Sequence, residues 1–255
     1  MPKSILLKHG KDLVGVRYII SIIVMTLTEF FLAVKLKIKI QKMKRRLKNG
    51  GVKYEGKVLF NNTNNNVIFI HIPKAAGMSV VKTLYDQNRS HHASVTDYIN
   101  EDEVKYSQTF SFAITRNPYT RLYSAYNYLK SGGMNNIDRA WYELYLAKYD
   151  SFEAFIVKGG LAFAINNNAE HFIPQYKFVF DERGKLLVNH LGKIENLHGT
   201  EAILTDKLQK EIAFSRRNVV SKADVDLGDI YSNKMLEIVN HSYQKDFLLF
   251  GYDVR

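Results

Sequence analysis

Residues 67–87 read VIFIHIPKAAGMSVVKTLYDQ, and this stretch decides the fold. Val67–Ile72 is a continuous run of β-branched and aromatic residues, the pattern of a strand buried on both faces of a parallel sheet. Pro73 stops it. Ser79–Gln87 then places Val80, Val81 and Leu84 on one helical face. The link, PKAAGM, consists of small residues with one glycine and one lysine. A strand–loop–helix unit of this kind lets backbone N–H groups and a helix N-terminus converge on an anion. It is not a Walker A loop, which needs a lysine directly after its last glycine; here Lys74 precedes Gly77 by three residues.

A second unit follows. Phe110–Thr115 (FSFAIT) reads as another buried strand, and RNPYTRLYSAYNYLK continues from it. Asn117 suits a helix N-cap and Pro118 a first helical position. Arg116 therefore falls at the carboxyl end of a strand, where open α/β sheets bind ligands. Ser124 and Tyr128 share a face of the helix at i and i+4. Taken singly, Arg116 also fits a structural ion pair and Ser124 a tight helix contact.

Together, H-I-P-K-A-A-G-M-S (His71–Ser79) and R-N-P-Y-T-R-L-Y-S-A-Y (Arg116–Tyr126) resemble the family-2 carbohydrate sulfotransferases. Further matches are H-F-I-P-Q (His171–Gln175), G-K-I-E-N-L (Gly192–Leu197) and Y-Q-K-D-F-L-L-F-G-Y (Tyr243–Tyr252), so the resemblance runs from about Val67 to Tyr252. It implies an α/β fold, a parallel β-sheet flanked by helices in the P-loop-like sulfotransferase manner. It also implies a donor, 3′-phosphoadenosine 5′-phosphosulfate (PAPS). Its 5′-phosphosulfate would be held by Lys74, Ala75, Ala76, Gly77, Met78 and Ser79, and its 3′-phosphate by Arg116 and Ser124. Ala75, Ala76 and Met78 depart from the residues common there; the Ala75 departure removes a hydroxyl donor and leaves the backbone donors.

Sulfuryl transfer needs an acceptor hydroxyl in line with the breaking S–O bond and a cation on the leaving oxygen. Lys74 is expected to supply that cation. The hydroxyl must also lose a proton to a base. His91 and His92 stand in the polar stretch NRSHHASVTDY, which also reads as a solvated loop; the resemblance favours His92 as the base. His71 is expected beside the loop without a catalytic role, and His171 in the acceptor cleft or packed before Pro174. Trp141, Tyr142 and Tyr145, on an expected helix Ile137–Lys148, read as core, as do Phe247, Leu248 and Phe250 near the end. Arg216, Arg217 and Lys222 read as a solvated cluster within reach of the nucleotide. No His/Asp/Glu group has metal-ligand spacing, so no metal is expected.

Charge separates the chain into unequal parts. Its net charge is +11, yet residues 1–50 hold 12 of the 36 basic residues against Asp12 and Glu29, and the remaining 24 face 23 acidic ones. The nearly neutral body lacks the broad basic face of a nucleic-acid binder. Tyr18–Val34 (YIISIIVMTLTEFFLAV) is 17 residues, the short end for a bilayer span, with Glu29 inside it. The polybasic KLKIKIQKMKRRLK follows and suits anionic headgroups. Residues 1–50 are thus expected to form a hydrophobic and basic helix that meets a membrane surface. Residues 51–66 (GVKYEGKVLFNNTNNN) read as a Gly- and Asn-rich linker with one short strand at Lys57–Phe60. The resemblance makes 67–255 the sulfotransferase domain.

The absence of cysteine excludes disulfide scaffolds, cysteine zinc sites and thiol nucleophiles. With basic residues heavier after the hydrophobic run, the body is expected on the cytoplasmic face of a bacterial-type membrane, the alternative being a Golgi membrane. The function expected is transfer of the PAPS sulfuryl group to a glycan or glycolipid hydroxyl. A nucleotide-dependent phosphotransferase and an inactive glycan-binding relative are the alternatives.

Overall fold

Alternation of side chains across a strand sets the two faces of the sheet. In the computed structural model, Val67 and Phe69 of β1 (Val67–Ile70) point to one face and Ile68 and Ile70 to the other; all four are buried. The structure describes residues 59–62, 67–88, 90–215 and 227–255, with positions 27, 30–35, 37, 38 and 41. Most of the expected segment 1–50, most of the linker 51–66, and Arg216, Arg217 and Lys222 lie outside the described residues.

The chain continues from β1 through α1 (Gly77–Tyr85), α2 (Val95–Glu101) and α3 (Glu103–Gln108) to β2 (Phe110–Thr115). Four helices follow: α4 (Pro118–Lys130), α5 (Asn136–Trp141), α6 (Phe152–Val157) and α7 (Gly160–Asn166). Next come α8 (Tyr176–Val179), β3 (His190–Lys193) and α9 (Leu197–Leu208). The chain ends with α10 (Leu227–Ile230), α11 (Asn233–Ser242) and α12 (Gln244–Phe250). The three strands pair in the order β1-β2-β3, both pairs parallel, with Phe69 opposite Phe112 and Phe112 opposite His190. All three carboxyl ends therefore lie on one edge of the sheet. This is the α/β architecture expected, a parallel sheet flanked by helices.

One face, through Phe69, Phe112 and Ile114, packs on Val80 and Leu84 of α1 and Leu204 of α9. The other, through Ile68, Ile70 and Ala113, packs on Tyr98 of α2, Tyr106 of α3 and Phe178 of α8. A third cluster joins α4 to α6, α7, α11 and α12 around Tyr119, Phe155, Phe172 and Phe247. It is rich in edge-on aromatic pairs such as Tyr119–Tyr231, at 5.4 Å.

Several expectations shift. β1 ends two residues before Ile72, and α1 begins at Gly77 rather than Ser79. Leu59 and Phe60 lie in a 3-10 turn, Leu59–Asn62, instead of the expected strand, and both are buried against the α2 side of the sheet. The expected helix Ile137–Lys148 ends as α helix at Trp141 and goes on as a π-helical turn, Tyr142–Leu146. Trp141 is buried against Phe172, while Tyr145 packs half-buried on Trp141. Leu248 does not pack as expected: it is 78% exposed, on the outer side of α12, while Phe247 and Phe250 turn inward.

Candidate active site

The first loop is built around two left-handed residues. Lys74 has φ 68° and Ala76 φ 61°, conformations that side-chain-bearing residues adopt at a cost. Alternation of such residues with right-handed ones turns successive N–H groups toward one point, an anion nest. Among the described residues the N–H groups of Ala76, Gly77 and Met78 have no acceptor. The last two are also the first turn of α1, where the helix dipole adds partial positive charge. Gly77 is required for space. A β-carbon there would fall 1.7 Å from Nε2 of His71, whose buried ring fills the position. The Ser79 hydroxyl donates to the carbonyl of Ser215, 2.6 Å away.

Two cations adjoin this loop, Lys74 within it and Arg116 against the Lys74 carbonyl. Lys74 is half-buried with Nζ 3.8 Å from the centre of the Tyr128 ring. Burial and the positive charge of Arg116 push its pKa down to about 8. Arg116 leaves the end of β2 with Nε on Thr120 Oγ1, 3.1 Å, and Nη1 on the carbonyl of Lys74, 3.3 Å. Burial lowers its pKa too, while nearby Glu195 favours the charged form. Neither cation forms an ion pair with a described residue. Arg116, just before α4, reaches Thr120 in its first turn, and Thr120 and Ser124 follow one another at i and i+4 along that helix. Ser124 stands half-buried on that line, and its hydroxyl has no hydrogen-bond partner among the described residues.

The histidines converge on the same edge. His92, in the loop before α2, lies with its ring 4.5 Å edge-on to His71 and 6.0 Å from His171. Its Nδ1 is hydrogen-bonded to Oε1 of Glu170. Burial drives the His71 pKa well below the ordinary value, and the charge of His92 adds to this, so His71 is neutral near pH 7. Burial likewise lowers His171, against an opposing hydrogen bond from Nε2 to Asp138 at 3.3 Å. Asp138 also accepts the Tyr128 hydroxyl at 2.7 Å, so its carboxylate meets the hydroxyl end of the ring that carries Lys74.

The sequence-expected residues Lys74, Ala75, Ala76, Gly77, Met78 and Ser79 form this loop and its helix start, and Arg116 meets it directly through the Lys74 carbonyl. Tyr128, Asp138 and Glu170 had no assigned role in the sequence. Glu170 stands directly before the H-F-I-P-Q motif, and nothing local marks it as a neighbour of His92.

The remaining motif residues hold the edge together. Arg121, 1% exposed, donates from Nε to the carbonyl of Pro73 at 2.9 Å and from Nη2 to that of Ile173 at 2.9 Å. The buried Gln175 side chain accepts from the Arg116 N–H at 3.0 Å and donates to its carbonyl at 2.8 Å. Asp246 accepts from the N–H groups of Gln175 and Tyr176, at 2.8 and 2.9 Å. Glu195 accepts from the Asn117 N–H at 2.8 Å and the Tyr252 hydroxyl at 3.0 Å. Five separated sequence motifs thus meet in one network.

A model described as the sulfotransferase family matches residues 58–253 of the chain. The protein belongs to that family, and its chemistry is sulfuryl transfer from a sulfate donor. No curated protein and no solved structure matches it.

Proposed function

We propose that the protein transfers the sulfuryl group of PAPS to a hydroxyl of a carbohydrate, in a glycan or glycolipid. The observation that carries this reading is the pair of half-buried cations, Lys74 and Arg116, that form no ion pair among the described residues, beside a nest of N–H groups without acceptors among them at the strand ends. Two cationic centres suit a nucleotide with two separate phosphate groups. The nest and Lys74 take the 5′-phosphosulfate, and Arg116 with Ser124 takes the 3′-phosphate.

In the reaction the acceptor oxygen attacks sulfur, the bond from sulfur to the 5′-phosphate oxygen breaks, and PAP (3′-phosphoadenosine 5′-phosphate) leaves. Lys74 meets the charge that builds on the leaving oxygen. The acceptor proton goes to Nε2 of His92, since Nδ1 is engaged by Glu170. A phosphotransferase is disfavoured by the missing Walker lysine.

Residues 1–50 attach the enzyme to a membrane surface, on the cytoplasmic face by the distribution of basic residues. In support, Leu27, Phe30, Phe31, Val34 and Ile38, at helical spacing, are all exposed. Among the described residues no helix is long and apolar enough to cross a membrane.

The test is transfer of ³⁵S from labelled PAPS to the total glycan and glycolipid fraction of the source cells. His92→Ala is expected to lower turnover on the order of 10²–10⁴-fold with PAP affinity unchanged. Wild-type turnover in that variant puts the base elsewhere. Tighter binding of ATP with magnesium than of PAP, by calorimetry, overturns the donor assignment.

A further inference from the structure

We infer that Glu170 is a positioning residue for the reaction, acting through His92: its carboxylate fixes the ring's tautomer and balances the charge that forms on it. The inference rests on the reading of His92 as the base. A neutral imidazole carries its hydrogen on one nitrogen, and in water the proton distributes over both. Here Nδ1 of His92 faces Glu170 Oε1, and an ionised carboxylate can only accept. The hydrogen is therefore on Nδ1 and the lone pair on Nε2, the nitrogen left to take a proton.

The surroundings give the carboxylate a second task. His92 and Glu170 side chains are 20% and 15% exposed, so water solvates an imidazolium poorly there. The other groups facing His92 do not help. His71, after β1, and His171, beside Glu170, are both held toward the neutral form by burial. Lys74, charged, acts against a further positive charge in this cluster. Asp138 is engaged by Tyr128 and His171. Glu170 is the carboxylate in direct contact with the His92 ring.

The main chain holds Glu170 in place independently of that contact. Asn168 turns the chain at φ 52°, the Ala169 N–H donates to the carbonyl of Ala164 at 2.9 Å, and the Phe172 N–H donates to that of Ala169 at 2.8 Å. Substitution of the side chain can therefore leave the loop folded.

The primary experiment is NMR of ¹⁵N-histidine-labelled protein saturated with PAP, with His92 identified by the signals lost in His92→Ala. Wild type is expected to show Nδ1 protonated and Nε2 bare; Glu170→Ala is expected to mix the two tautomers. In the ³⁵S transfer assay Glu170→Ala should lose about ten- to a hundredfold in turnover at unchanged PAP affinity. Glu170→Gln, which keeps an acceptor oxygen without its charge, should fall between the two.

The double variant with His92→Ala should be no slower than His92→Ala alone, because the two act as a unit. An unchanged tautomer in Glu170→Ala, or full additivity in the double variant, overturns the inference. If His92→Ala loses turnover while Glu170→Ala keeps it, the pairing fails and the base reading stands. If His92→Ala keeps turnover, both fail.

Discussion

Arg116 and Arg121 stand five residues apart at the start of one helix, and they serve opposite ends. Arg121 is almost fully buried and spends its guanidinium on main-chain carbonyls of Pro73, His171 and Ile173. Arg116 bonds a hydroxyl and one carbonyl at 3.3 Å and, among the described residues, keeps the rest of its donors open, beside a lysine that likewise forms no ion pair among them. The first joins the phosphate loop to the H-F-I-P-Q segment. The second is the residue proposed above to take an anion. A buried cation whose donors are satisfied by fixed carbonyls is architecture; one held in place with donors to spare is able to take an anion.

The largest expected effect breaks the architectural side. Arg121→Ala leaves several buried carbonyls without donors, at about 1–3 kcal/mol each. It should lower stability by about 3 kcal/mol or more in denaturant unfolding, and PAP should not restore the wild-type midpoint. Stability within about 1 kcal/mol of wild type, close to the ordinary spread of surface substitutions, would place Arg121 outside the framework.

Arg116→Ala should show the reverse: a melting temperature near wild type and PAP affinity lower by about 1.5–3 kcal/mol. Adenosine 5′-phosphosulfate, which lacks the 3′-phosphate, should lose much less. Equal losses for the two ligands in calorimetry would take the 3′-phosphate away from Arg116.

Lys74 sharpens the receptor side through pH. With its pKa at about 8 in the free protein, below the ordinary lysine value, the folded chain binds fewer protons than the unfolded chain between pH 8 and the ordinary value. The charged lysine therefore costs stability below pH 8, and that cost is relieved as pH rises through this window. A phosphate group bound beside it favours the charged form. PAP binding near pH 9 should take up about one proton, visible as a dependence of the calorimetric heat on buffer ionisation enthalpy. Affinity should decline as pH rises past 8 in wild type and stay flat in Lys74→Arg. Proton-neutral binding near pH 9 would remove Lys74 from the phosphate site.

The smallest effect expected at the site is that of removing residues 1–50. PAP affinity should stay within about twofold of full length, while co-sedimentation with anionic vesicles is lost. Retained co-sedimentation would move the membrane contact to the body.

Much of this fold is written in local pattern. Phe110–Thr115 is a strand over the residues its composition announces, Asn117 caps α4 through its side chain and Pro118 opens that helix. β3 escaped such reading: HLGK is four residues long, carries a glycine and has no alternation, and its strand form comes from pairing with β2. The π-helical turn after Trp141 and the exposed Leu248 escaped it too. Helical periodicity states which residues share a face and leaves open which face the neighbours cover.

The site divides in the same way. Sequence alone determined the strand–loop–helix unit, the small-residue loop with Lys74 and the strand-end position of Arg116, because each depends on residues close together in the chain, and the near-neutrality of the body, because that is composition alone. The tertiary structure alone decided which polar groups meet. It set Glu170 against His92, 78 residues away, Asp138 against His171, and Tyr128 under Lys74. It also decided that Arg121 is met by three main-chain carbonyls while Arg116, among the described residues, keeps donors open. Satisfaction of a buried polar group depends on partners brought from distant segments by packing, and no spacing along the chain encodes it.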